Sequence, residues 1–198
     1  MSAPKPFAPT EIQRRLRRLQ AAQRQQRLDA LPVTTEINRF YFTGLTTSNG
    51  MLLSERGAPP AFYTDFRYLT MARRAAPWLP SHLLWRPALE PEVVAGMGRG
   101  WRRVGYEGSM PASRFLKLQA ALPDVEWVNA TALIQELRAV KSPEEQRRMR
   151  AAISANDRLF AETLRQTAPG MSEWAISAVV RREAERLGQG EAFSAIAC

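Results

Sequence analysis

Cysteine occurs once in this chain, as Cys198, and histidine once, as His82. A lone thiol cannot close an internal disulfide, so packing and hydrogen bonding must hold the fold. No zinc-finger spacing is present. Lysine is nearly missing, confined to Lys5, Lys117 and Lys141. No apolar run approaches the roughly 20 residues that a membrane-spanning helix requires, so no membrane partner is expected. The N-terminus carries Pro4, Pro6 and Pro9 with no apolar segment behind a positive flank, so it does not read as a secretory signal; a cytoplasmic location is the expectation. Internal repeats, glycine-rich phosphate loops and aromatic nucleic-acid platforms are also lacking.

What remains is the composition of a folded protein. With 198 residues, 45% hydrophobic and 24% charged, the chain suffices for one ordinary domain and part of a second. The net charge of +9 resides almost wholly on arginine. A clustered basic surface would suggest a nucleic-acid partner, but these arginines are scattered. Arg14, Arg15, Arg17, Arg18, Arg24 and Arg27 share a first helix whose Ile12, Leu16 and Leu19 form the inward stripe, which is the pattern of a solvated basic face. Nucleic acid is therefore not an expected partner.

From residue 28 to residue 128 short apolar runs alternate with helical periodicity, an α/β order. The pattern predicts strands at Leu28–Thr34, Gly50–Ser54, Ala61–Thr64, Ser81–Trp85, Arg102–Tyr106 and Val125–Val128. It predicts helices at Arg67–Ala75, Pro91–Arg99, Pro111–Leu122 behind a Ser109 cap, and Thr131–Arg138. Short connections at Gly44–Asn49 and Glu55–Pro60 imply a mixed rather than an all-parallel sheet.

The stretch from Glu136 to Glu173 is the most explicit. Ser142, Pro143 and Glu145 spell a capping box with proline at the first helical position. Met149, Ala152, Ile153, Asn156, Leu159, Phe160, Thr163 and Leu164 recur at helical spacing, so that face of a helix over 143–166 is expected to be buried. Pro169 and Gly170 end it. Ser172 then caps a second helix, over 173–187, striped by Ile176, Val179, Val180, Ala184 and Leu187.

Five segments in order, Asn38–Gly44 (NRFYFTG), Thr64–Tyr68 (TDFRY), Glu136–Glu145 (ELRAVKSPEE), Pro169–Glu173 (PGMSE) and Phe193–Ile196, resemble the creatinase, prolidase and aminopeptidase P family. The resemblance implies an N-terminal creatinase-like domain of mixed sheet and flanking helices over 1–138. It further implies the start of a pita-bread metallopeptidase domain over 139–198, incomplete as given. Family activity is hydrolysis of the bond preceding proline by two divalent ions, manganese first with cobalt or zinc as alternatives, held by two aspartates, a histidine and two glutamates. In the family those ligands lie downstream of the segment matching Glu191–Cys198. The expectation is thus a chain with no catalytic or metal-binding residues of its own, inactive alone, as a fragment, a frameshifted product or a natural truncation. Proline-containing peptides are the implied substrates of the full-length enzyme, and a homodimer is the implied assembly, with the Arg39–Asn49 segment as an exposed loop reaching substrate in trans.

Candidate residues follow from the same resemblance. Phe193, Ile196 and Tyr41 would line the substrate pocket. His82, between Ser81 and Leu83, reads as a partly buried strand residue rather than a ligand or base. Asp65 and Arg67 could bind a substrate terminus, but at a strand-to-helix corner they read first as a cap or an ion pair. Two other functions stay open at this stage: a non-catalytic peptide- or protein-binding module, and a creatinase-like amidinohydrolase fragment.

Overall fold

The computed structural model describes residues 7–84, Val94, Gly96 and 100–187. The chain divides into two compact units that meet in sequence at Val140 and Lys141. The larger comprises α1 (Pro9–Gln25), β1 (Ala30–Val33), α2 (Glu36–Thr43), β2 (Met51–Glu55), β3 (Ala61–Thr64), α3 (Phe66–Ala75), β4 (Ser81–Leu83), β5 (Arg103–Tyr106), α4 (Ala112–Ala121), β6 (Glu126–Asn129) and α5 (Thr131–Ala139).

Its six strands form one mixed sheet in the order β4-β3-β2-β1-β5-β6. β2 is antiparallel to both neighbours, and every other pairing is parallel, so β2 alone runs against the rest. The β2–β3 hairpin is the antiparallel pairing expected from the short Glu55–Pro60 connection, whereas β1 reaches its antiparallel partner β2 through α2.

Both faces of the sheet are covered, which explains strands that read as continuous apolar runs. Leu31, Val33, Leu52 and Phe62 point to one side, where they join Ile12, Leu16 and Leu19 of α1, Phe42 of α2, Ala72 of α3, and Leu133, Ile134 and Leu137 of α5. Ala30, Met51, Leu53, Tyr63 and Val104 point to the other, where Leu118 and Val125 meet them. The alternation along β1, β2 and β3 is the two-residue period of a strand dividing its side chains between two cores.

α2 corrects the expectation of an exposed Arg39–Asn49 loop. The segment opens with a helix that Gly44 closes in the left-handed conformation, at φ 72°. Arg39 is buried, its guanidinium donating to the carbonyls of Thr34 and, at 2.6 Å, Thr47. Two buried carbonyls compensate the desolvated cation, so a residue that reads as surface becomes an internal clamp. The Ser109 cap is corrected too. Pro111 occupies the cap position of α4 without a side-chain bond, and the Ser109 hydroxyl lies 3.3 Å from that of Thr35. Of the helix expected over Pro91–Arg99, all but Val94 and Gly96 lies outside the described residues, as does Trp85.

The smaller unit contains α6 (Pro143–Gln166) and α7 (Glu173–Arg186). Its start is the capping box expected: Glu145 N–H donates to Ser142 Oγ at 3.2 Å and Ser142 N–H to Glu145 Oε2 at 2.9 Å. Such a cap contributes about 1 kcal/mol. Ser172 caps α7, accepting from Ala175 N–H. The two helices are pinned by Gln166, which donates to Glu183 Oε1 at 3.0 Å. The apolar stripe of α6 is not buried as expected: Met149, Ile153, Phe160 and Leu164 are about half exposed or more. α6 packs on α7 through the flank carrying Ala155 and Thr163, so that Thr163, at one edge of the stripe, is buried.

Candidate functional site

The strand-to-helix corner after β3 gathers the densest polar cluster among the motif residues. Asp65 stops β3 and caps α3, accepting from Arg67 N–H at 3.0 Å. Its carboxylate also takes both Arg67 Nε at 3.1 Å and Nη2 at 2.7 Å, while Asn49 Nδ2 reaches its other side at 3.0 Å. The residue that reads as a cap or as an ion-pair partner is both. Arg67 lies 5.2 Å from the Tyr68 ring, and the Tyr68 and Ser48 hydroxyls are 2.8 Å apart. Phe66 is 74% exposed beside them.

The hydrogen bonds from Arg67 hold the Asp65 carboxyl at about 2. A folded-state value below the unfolded 3.8 means that the carboxylate stabilises the fold above that pH and that the contribution is lost as pH falls toward 2. Urea unfolding should find Asp65→Asn less stable than the parent at neutral pH, with the gap narrowing between about pH 4 and pH 2. A gap of constant size across that interval would contradict this assignment. Because its partner Arg67 is spent on Asp65, the corner offers little free cation to a substrate carboxylate.

Tyr41 sits in the core rather than at an opening. Its hydroxyl donates to Leu137 O at 2.8 Å, its ring packs edge-on against Phe42, and the Arg15 guanidinium lies 4.3 Å from its centroid. It ties α1, α2 and the end of α5 together. Phe193 and Ile196 lie outside the described residues. His82 is on β4 as expected, but exposed rather than partly buried, because β4 is the sheet edge and its ring lies on the face left uncovered there. Among the described residues no group of three or more histidine, cysteine, aspartate or glutamate side chains could hold a metal ion.

The sequence motifs did not disclose a buried junction on the opposite side of the sheet centre. Glu107, just past β5, accepts from Thr34 N–H at 2.5 Å, Thr35 N–H at 2.8 Å and Asn38 Nδ2 at 2.7 Å. Asn38 Oδ1 in turn accepts from Arg138 at 2.9 Å. Thus the first residue of the NRFYFTG segment and Arg138 of ELRAVKSPEE are bonded directly, while a carboxylate that neither segment contains holds the other end of the Asn38 amide.

The model of the creatinase/prolidase N-terminal domain matches residues 15–140. This chain belongs to that family. The uncharacterized peptidase YqhT of Bacillus subtilis (strain 168) is 28% identical over 151 residues, which is 76% of this chain and 42% of that protein. The N-terminal domain of the cytoplasmic peptidase PepQ from Mycobacterium tuberculosis H37Rv superposes with a TM-score of 0.57 at 28% identity, covering 63% of this chain and 98% of that structure. A Xaa-Pro dipeptidase from Bacillus anthracis superposes with a TM-score of 0.78 at 24% identity, over 88% of this chain and 49% of that one, a likeness of fold. The chain spans about half the length, or less, of these two longer peptidases. No helix among the described residues is long and apolar enough to cross a membrane.

Proposed function

We propose that residues up to Val140 form the non-catalytic N-terminal domain of a Xaa-Pro peptidase of the prolidase or aminopeptidase P type, and that α6 and α7 open its catalytic domain. One observation carries this reading. The alignment with the B. subtilis peptidase, at 151 residues, is longer than the 140 residues preceding Lys141. The likeness therefore runs past the N-terminal domain and into α6, as it would for a chain that begins both parts of a two-domain peptidase.

A two-metal peptidase centre requires several carboxylates and an imidazole converging on the ions. The described residues do not fit one: His82 is on an edge strand, and the buried carboxylates of Asp65 and Glu107 are each consumed by protein donors. The role left to this domain is structural and positional, holding α1 to α5 as a rigid body beside a catalytic partner domain.

The purified 198-residue chain, supplied with manganese and a Xaa-Pro dipeptide, should release no proline above a blank without protein. Metal-dependent turnover by homogeneous protein would overturn the placement of the chemistry elsewhere. A second arm is the coding sequence past the Cys198 codon. A continuing frame supplying two aspartates, a histidine and two glutamates supports the peptidase reading, whereas a continuing frame that supplies a different domain refutes it.

A further inference from the structure

The sheet face that buries Leu53 and Tyr63 is left open at its β4 end, and the opening is a cleft of about 270 Å³. Pairing sets its floor: Leu53 lies opposite Ala61 across β2 and β3, and Tyr63 opposite His82 across β3 and β4. Since side chains two apart share a face, Glu55, Leu53, Ala61, Tyr63 and His82 all project into the same opening. Ala58 and Pro59 from the β2–β3 turn and Pro80 ahead of β4 wall it.

Its chemistry has three parts. The rings of Tyr63 and His82 stack, with centroids 5.0 Å apart and planes 25° from parallel, so Tyr63 backs the exposed His82 ring and leaves the outer face of that ring to a ligand. Leu53, Ala61 and the two prolines are apolar. Glu55 is the single carboxylate among the described lining residues, and its Oε1 accepts from Trp101 Nε1 at 2.9 Å, which fixes the group in place. Burial, and next the Glu55 charge, push the Tyr63 phenol up, so that ring stays uncharged beside the carboxylate at neutral pH. In a chain of net charge +9 this is a local acidic spot, and it selects a cation.

The size narrows the choice further. Sites for drug-sized ligands run to roughly 300–1,000 Å³, so this cleft suits one side chain rather than a whole ligand. A lysine ammonium is a compact point charge with neither a plane to stack on a ring nor a fork to match a carboxylate. A guanidinium is planar, stacks on aromatic faces and presents a fork of donors to a carboxylate, while its methylenes suit the apolar walls. We propose that the cleft is a docking pocket for an arginine side chain of a partner peptide, stacked on the His82 ring that Tyr63 backs and paired with Glu55. The proposal does not depend on the peptidase reading, and its test uses no measurement of activity.

His82 is the sole histidine, so its imidazole carbon and proton resonances are an unambiguous native reporter. Titrating the full chain with N-acetyl-arginine amide should shift them along a saturable curve. N-acetyl-citrulline amide has the same shape without the charge and should bind at least about tenfold more weakly, the loss expected when a charge-assisted bond becomes a neutral one. Glu55→Gln keeps a carbonyl oxygen for Trp101 and should weaken the arginine probe by a similar factor. A linear, non-saturating shift with the arginine probe, or equal binding of the citrulline probe, overturns the proposal. So does unchanged affinity in a folded Glu55→Gln variant; should that variant not fold, the two probes on the parent chain decide.

Discussion

Replacing Glu107 by alanine should lower the stability of the larger unit by about 3–5 kcal/mol, the loss that accompanies several buried donors left without an acceptor. The carboxylate is 2% exposed and takes four bonds, from Thr34 N–H and Oγ, Thr35 N–H and Asn38 Nδ2. Thr35, at the cap of α2, makes no side-chain capping bond, and Glu107 binds its backbone N–H instead, which sets a negative charge at the helix start. Alanine removes all four bonds at once and unties Asn38 from its partner across the junction. Glu107→Gln is the informative companion. Its amide nitrogen would face donors if placed at Oε2, which has three of them, and Asn38 Nδ2 if placed at Oε1. It too should cost well over 1 kcal/mol. Urea unfolding followed by tryptophan fluorescence checks both, and a midpoint within error of the parent for Glu107→Ala would show the junction to be dispensable.

That junction also marks where sequence reading stops. Ser142 with Glu145, and Ser172 ahead of Ala175, are legible because a cap is decided within four residues. The central strands β1, β2 and β3 are legible because both of their faces are buried, leaving apolar runs bounded by turns, and the β2–β3 antiparallel pairing follows from a short connection. Glu107 is not legible: its partners lie 69 to 73 residues away, and nothing near it in the chain identifies it as a cap. α2 hides for a related reason. It has eight residues, and Asn38, Arg39 and Thr43 are buried polar side chains that break the apolar periodicity. Their partners, the carbonyls of Thr34 and Thr47 among them, exist only once the loop has folded.

The candidate site divides the same way. Asp65 and Arg67 interact across two residues, so the corner is foreseeable as a cap and an ion pair. The cleft at the β4 edge draws its lining from three strands and a turn, and the registers that align Leu53 with Ala61 and Tyr63 with His82 are not written in any one segment. The histidine was visible, but its stacking partner and its exposure were properties of an edge.

Gly50→Ala should be comparably severe for a different reason. Gly50 precedes β2 with φ at 141°, in the half of conformational space that favours glycine. A Cβ there would lie 2.9 Å from Tyr63 O and 2.9 Å from Phe62 Cζ. Neither neighbour can easily yield. Tyr63 is paired with Met51 on one side and His82 on the other, and Phe62 is fully buried in the core. Backbone strain of about 1–3 kcal/mol and overpacking of about 1–3 kcal/mol therefore add, for an expected loss of about 2–6 kcal/mol. Gly57→Ala separates the two contributions. Gly57 has φ at 89°, but a Cβ there meets nothing within 4 Å, so that variant should carry the strain alone and lose about 1–3 kcal/mol. Equal losses at the two positions would mean that the close approach of β3 to Gly50 contributes nothing. A markedly larger loss at Gly50 would place the constraint in the contact that seats β3 against the start of β2, and with it the spacing of the strands from which the cleft is built.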